Sequence, residues 1–161
     1  MAKMVKVGMA DLNICHSPDA ITTLGLGSCV GVALYDKNTK TAGLVHVMLP
    51  VSTKVRQNQN RAKFADTGID NLIEMLEKEG AKKSSLTAKI AGGAQMFAFS
   101  SSNDMLRVGE RNVEAVKDKL KKLGIRILAE DTGLNYGRTV EFYPETGDFI
   151  IKSVGKLVKT I

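Results

Sequence analysis

Two glycines separated by one residue interrupt an apolar run and deliver it to a cysteine, in Thr22-Thr23-Leu24-Gly25-Leu26-Gly27-Ser28-Cys29-Val30. Glycine reaches backbone angles closed to other residues, so the chain can turn sharply here and hold its N–H groups close to a bound molecule. The segment after Cys29 is equally constrained. Val30 to Tyr35 is β-branched and apolar, Asp36-Lys37-Asn38-Thr39-Lys40 is polar with turn formers, and Thr41 to Leu49 is apolar again. That pattern predicts a β-hairpin. With the strands mirrored about Asn38, position 29 lies opposite a position near 47. Cys29 and His46 then occupy adjacent places across the ladder, within side-chain reach.

A thiol beside backbone donors is what a nucleophile with an oxyanion site needs. Free cysteine titrates near pH ~8.5, and a neighbouring histidine can accept its proton and lower that value by several units. The bland reading is a core one. Cysteine is among the most buried residue types, and a lone histidine between Val45 and Val47 is more often a satisfied core residue than a base. On composition alone the core reading is favoured; the conjunction of the two residues at glycine-adjacent strand edges favours chemistry. The sequence holds only two histidines and two cysteines. The other pair, Cys15-His16, lies in the polar stretch Asn13 to Asp19, read as a loop. Sequence neighbours on a strand point apart, so Cys15 is taken as structural or incidental.

The remaining chain alternates β and α signals without repeats. Met4 to Met9 reads as a short strand followed by a loop through Pro18; Ile21 to Leu24, Val30 to Tyr35 and Thr41 to Met48 read as three strands around the site. Pro50 to Arg61 is polar and reads as a mobile flap after His46. A helix from near Lys63 carries Ala65, Ile69, Leu72, Ile73 and Leu76 on one face and ends at Gly80. A second, Asn112 to Leu123, carries Val113, Val116, Leu120 and Leu123 and stops at Gly124. A strand over Ile125 to Ala129 and a hairpin of Val140 to Tyr143 with Phe149 to Ile151 complete an α/β or α+β order. Gly92-Gly93 after Lys89-Ile90-Ala91 reads first as a strand end bending into Ala94 to Phe99. Their small size also lets a substrate backbone approach, so they are possible cleft residues. Met96, Phe97 and Phe99 are assigned to core packing before any docking patch. The Gly25 to Ser28 turn lacks the Lys-Ser/Thr ending of a phosphate loop.

Several function classes are excluded. With 161 residues, 43% hydrophobic and 25% charged, one domain over residues 1–161 is expected. There is no apolar run of ~18 residues, and the first residues lack a signal-peptide segment, so no membrane insertion and a cytoplasmic location are expected. Two cysteines without framework spacing and no Cys/His cluster predict neither a disulfide scaffold nor a metal site, and no cofactor is expected. The net charge of +6 arises from scattered Lys and Arg, the pattern of solvated helix faces. It suits approach to an acidic partner. With aromatics at 5% and no basic arm or helix-turn-helix, nucleic-acid binding is not expected.

The ordered blocks Thr23-Leu24-Gly25-Leu26-Gly27-Ser28-Cys29-Val30, His46-Val47-Met48-Leu49-Pro50, Lys89-Ile90-Ala91-Gly92-Gly93-Ala94, Arg111-Asn112-Val113 and Ala129-Glu130-Asp131-Thr132-Gly133 resemble the CheD family of chemoreceptor glutamine deamidases. The resemblance runs over nearly the whole chain. It implies a three-layer β/β/α sandwich with two mixed sheets and a helical layer. It also implies a Cys-His-Thr triad, with Cys29 as nucleophile, His46 as general base and Thr23 orienting the histidine. Gly27 and Ser28, with Gly92 and Gly93, then become possible oxyanion or cleft residues, and the Cys29 N–H an oxyanion donor. The implied substrates are the cytoplasmic helices of methyl-accepting chemotaxis receptors, and the implied partner is CheC, a phosphatase in the family picture. Leu134 stands where the resemblance leads one to expect a second glycine after Gly133. Two other readings remain open on the residues: a non-catalytic adaptor binding receptors and CheC, or a cysteine hydrolase acting on small amides or as a glutamyl methylesterase.

Overall fold

The computed structural model describes residues 2–52, 60–96 and 107–161. In chain order these form β1 (Met4–Val7), β2 (Leu12–His16), β3 (Ala20–Leu26), β4 (Val30–Asp36), β5 (Thr41–Val47), α1 (Ala65–Lys78), β6 (Thr87–Gly92), α2 (Val108–Leu123), β7 (Arg126–Thr132), β8 (Arg138–Tyr143), β9 (Asp148–Lys152) and β10 (Lys159–Thr160). One sheet has the order β1-β3-β8-β9-β10 and the other β2-β5-β4-β6-β7. Each contains one parallel pair, β1 with β3 and β6 with β7, among antiparallel neighbours.

The period of two along β4 divides the interior into two cores. Val30, Val32 and Leu34 join Val45, Val47 and Ile90 on the face that receives Ile69, Leu72 and Leu76 of α1 and Val116 and Leu120 of α2. Ala33 joins Ala42, Leu44 and Ala91 on the opposite face, against Ile21, Leu26, Val140, Phe142, Phe149 and Ile151 of the first sheet. Helices, middle sheet and outer sheet thus form the expected β/β/α sandwich. The α1 stripe read from the sequence is buried throughout. It approaches β5 so closely that a Cβ on Gly43 would lie 2.5 Å from Leu72 Cδ1. Truncating a side chain such as Leu72 costs about 2–5 kcal/mol, the loss of burial plus the cavity left behind. Gly124 ends α2 in the left-handed region (φ 73°), its N–H reaching the carbonyls of Leu120 and Lys121.

Several elements differ from the sequence reading, among them β10, which has no counterpart there. The stretch expected to loop through Pro18 contains β2, which pairs antiparallel with β5, His16 opposite Thr41. It is an edge strand, so its outward residues stay polar and the alternation is diluted. α2 begins at Val108 rather than near Asn112, and β7 runs on to Thr132. Met96 is 46% exposed rather than core. Phe97, Phe99 and most of the flap expected over Pro50 to Arg61 (residues 53–59) lie outside the described residues.

Candidate active site

β3 belongs to the outer sheet and β4 to the middle one, so the chain crosses between sheets through Gly27-Ser28-Cys29. The crossing is prepared by a bulge. From Thr23 to Leu26 β3 advances three residues while its partner β8 advances two, from Val140 to Arg138. The extra residue, with Gly25 at φ 71°, re-aims the strand so that Thr23 and Leu26 are both buried and Leu24 is exposed.

In the β4/β5 ladder His46 lies opposite Gly31 and Val30 opposite Val47. The four-residue connection Lys37 to Lys40 puts the mirror between Asn38 and Thr39 rather than on Asn38. That shift of one matters, because the period of two now places position 29 on the same face as His46, diagonal to it. Cys29 accordingly belongs to the core between the sheets. Gly31 leaves space that Leu26 fills: a Cβ there would lie 3.1 Å from Leu26 Cδ1, with Thr23 Cγ2 at an ordinary contact distance of 3.7 Å.

Thr23 Oγ1 lies 2.8 Å from the Val7 carbonyl and 2.8 Å from His46 Nδ1. A hydroxyl has one hydrogen, and a carbonyl can only accept, so the hydroxyl donates to Val7 and accepts from Nδ1–H. The imidazole is thereby fixed in the tautomer whose Nε2 carries a lone pair. His46 is 0% exposed, and Nε2 is a buried nitrogen without a hydrogen-bond partner among the described residues. Burial also lowers the His46 pKa, which keeps the ring neutral.

The Cys29 thiol, 8% exposed, is pushed up by burial and partly relieved by its own backbone N–H. The expected lowering by histidine is therefore not seen. The resting pair is a neutral thiol and a neutral imidazole, because neither charge is solvated and no hydrogen bond joins them. Catalytic hydrogen bonds of this kind commonly close only when substrate binds.

Three carbonyls of the crossing are anchored. Ala94 N donates to Gly27 O (2.8 Å) and Gly93 N to Cys29 O (2.8 Å), while Asn112 Nδ2 donates to Ser28 O (3.0 Å). In a planar trans peptide the N–H points opposite the carbonyl of the preceding residue. The N–H groups of Ser28 and Cys29 therefore point away from these anchors, and no described oxygen accepts from either. Gly27 N–H is taken by Gly25 O (3.1 Å), and Gly93 N–H by Cys29 O. Of the four glycine-turn and cleft positions expected to serve an oxyanion or the cleft, Ser28 has an N–H with no acceptor among the described residues, beside that of Cys29. Gly92 (φ 113°) serves close packing, since a Cβ there would lie 2.2 Å from Cys29 O. Beside it, Gly93 with Gln95, Val113, Thr132, Gly133 and Leu134 lines a cleft of about 320 Å³.

Residues 48–153 match the CheD family, described as CheD chemotactic sensory transduction. The "Probable chemoreceptor glutamine deamidase CheD" of Lachnoclostridium phytofermentans is 69% identical over 161 residues, the whole of both chains. The chain belongs to the CheD family. Two further CheD relatives, each called "Chemoreceptor glutamine deamidase CheD", extend the likeness. That of Halalkalibacterium halodurans is 57% identical over 162 residues, covering all of both chains. That of Bacillus subtilis is 51% identical over 161 residues, covering 99% of this chain and 97% of its own.

Within this CheD chain the second Cys/His pair sits apart, on the edge strand β2. Cys15 is buried with its pKa pushed up to about 12, burial being the larger cause and the nearby Asp19 charge the smaller. His16 Nδ1 is bonded to Thr41 Oγ1 at 3.0 Å on the edge strand. Two residues near the crossing escape the sequence reading. Asn112 sits in an otherwise ordinary helix start. Arg138, also buried, holds Asp131 (3.0 Å) and the Gly133 carbonyl (3.0 Å) and lies 3.4 Å from Gly92 O. An asparagine and an arginine at positions where the pattern asks for apolar residues are the available signals. No helix of the described residues is long and apolar enough to cross a membrane.

Proposed function

We propose that this chain is a chemoreceptor glutamine deamidase that uses Cys29 as nucleophile, His46 as base and Thr23 to fix the histidine tautomer. One observation carries the proposal: the hydroxyl that must donate to Val7 forces Nδ1–H, and so leaves an Nε2 lone pair on the face that carries Cys29. Nε2 takes the thiol proton as sulfur attacks the carboxamide carbon of a receptor glutamine. The oxygen that becomes negative is met by the Ser28 and Cys29 N–H groups. The imidazolium returns its proton to nitrogen, the C–N bond breaks and ammonia leaves a thioester. Water then gives a proton to Nε2 and its oxygen to the acyl carbon. The C–S bond breaks, the thiolate recovers the proton, and glutamate is released.

The names of the relatives support receptor glutamines as substrate, and a reaction on the cytoplasmic side goes with that reading. CheC as a partner follows from the family resemblance and is measured by co-purification. The test of the activity is mass analysis of a receptor cytoplasmic fragment incubated with wild type, Cys29→Ala and His46→Ala. Wild type adds about one mass unit per converted glutamine, the exchange of an amide NH2 for OH, and both variants fail to. A wild-type protein that binds the fragment and leaves every glutamine intact would point to the adaptor reading. Activity confined to a free glutamine analogue would point to a small-amide hydrolase.

A further inference from the structure

We propose that Asn112 is a positioning residue that holds the nucleophile and the base in register. The inference rests on the reading of Cys29 and His46 as the catalytic pair. Asn112 lies one turn into α2 and is 0% exposed. Both hydrogens of its side-chain amide are used, on Ser28 O at 3.0 Å and Met48 O at 2.9 Å. Because both neighbours are carbonyl oxygens, the NH2 group has to face them, which fixes the amide orientation.

Those carbonyls lie where the β4/β5 ladder runs out. Its last pair is Val30 with Val47, and the next rung would join Cys29 to Met48. Asn112 supplies that rung from a third element, spanning the residue before the nucleophile and the second residue after the base. Holding Ser28 O also fixes the plane of the Ser28–Cys29 peptide, and with it the direction of the Cys29 N–H. The helix comes near enough because its first turn carries Gly109, where a Cβ would lie 2.4 Å from Ala94 O. The choice of asparagine is not explained by packing. Asn112 Oδ1 is buried without a partner among the described residues, so the residue is held for its two donors; a leucine would remove them and leave the Ser28 and Met48 carbonyls without these hydrogen bonds.

The test compares steady-state deamidation of a chemoreceptor cytoplasmic fragment by wild type, Asn112→Leu, Asn112→Asp, Val116→Ala and Cys29→Ala, with a thermal melt of each. Asn112→Leu keeps the branched outline, adds the bulk of two methyls and removes both hydrogen bonds. Asn112→Asp keeps Oδ1 and sets a second oxygen against the two carbonyls, and it supplies the same readout should the leucine variant not fold. Both are expected to lower kcat about 10–100-fold with KM within about twofold, since misplacing reacting groups by an ångström costs that much without touching substrate binding. Val116→Ala opens a cavity beneath the same helix; it should lower Tm while leaving kcat at the wild-type value. An Asn112→Leu enzyme with wild-type kcat, or a Val116→Ala enzyme that loses kcat in step with its Tm as Asn112→Leu does, overturns the positioning role. Deamidation by Cys29→Ala instead overturns the parent reading, so the two failures are distinct.

Discussion

Replacing Thr23 by valine exchanges one hydroxyl for a methyl of nearly equal size, and the consequences can be worked through atom by atom. The hydroxyl satisfies Val7 O and His46 Nδ1–H at 2.8 Å each, between residues that are almost fully buried. Stranding a buried polar group costs roughly 1–3 kcal/mol. Two such groups, one of them able to relax within its strand, give roughly 2–4 kcal/mol. For a chain of this size that is a fall in Tm of roughly 4–16 °C. Activity suffers for a separate reason. Without an acceptor for Nδ1–H the ring is free to adopt the other tautomer, in which Nε2 carries hydrogen and cannot take the thiol proton. A loss of about 10²–10⁴ in kcat is expected, equivalent to roughly 3–5 kcal/mol in the barrier. Thr23→Ser retains the hydroxyl and should stay within about tenfold of wild type. The assays are glutamine conversion by mass, a thermal melt, and nitrogen NMR of the His46 ring, which should show Nδ1–H in wild type. A folded valine variant at wild-type rate, or a wild-type ring protonated on Nε2, refutes the reasoning.

The neutral resting pair sets the pH behaviour. Because burial lowers the His46 pKa below 6.5, the unfolded chain binds more protons than the folded one in that window. This contribution to stability is present above pH 6.5 and is lost as pH falls through the folded value. Urea midpoints of wild type should therefore fall more steeply below pH 6.5 than those of His46→Gln. Alkylation of Cys29 by iodoacetamide should rise with a midpoint above 9.0, since burial raises the thiol; a plateau reached near neutrality would mean an ion pair instead. At Leu134, φ is +61°, a left-handed position costing a branched side chain about 1–2 kcal/mol. The side chain is 62% exposed, so Leu134→Gly loses little packing. After glycine's own entropy cost it should stabilise by roughly 0.5–1 kcal/mol, and an unchanged or lower urea midpoint would contradict this.

What can be read from the chain is what local pattern controls. The α1 stripe, the Gly124 stop and the β4/β5 hairpin all follow from periodicity and turn chemistry, and each is present. β2 is hidden because Asn13 and His16 on an edge strand look like loop residues. The hairpin register differs by one from the pattern because an even-numbered connection has no central residue, and that single step decides whether Cys29 and His46 share a face. The direction of the thiol pKa shift is opposite to the local expectation because burial is not a local property. Asn112 falls in one of the blocks that carry the family resemblance, yet its role is hidden for the same reason: its hydrogen bonds reach 84 and 64 positions back along the chain. The glycine at 134 expected from the family resemblance corresponds to a backbone position that is indeed left-handed, occupied here by leucine.

Thr23 comes from one sheet, His46 from the other, and Cys29 from the crossing that joins them. The base is therefore not a property of any strand or hairpin; it exists only once the two sheets have docked and Val7 has claimed the threonine proton. A chain still emerging from the ribosome, or one with its outer sheet frayed, carries a thiol and an imidazole with no fixed tautomer between them. Under the proposed mechanism, hydrolytic capacity therefore depends on the docking of the two sheets rather than on either one alone.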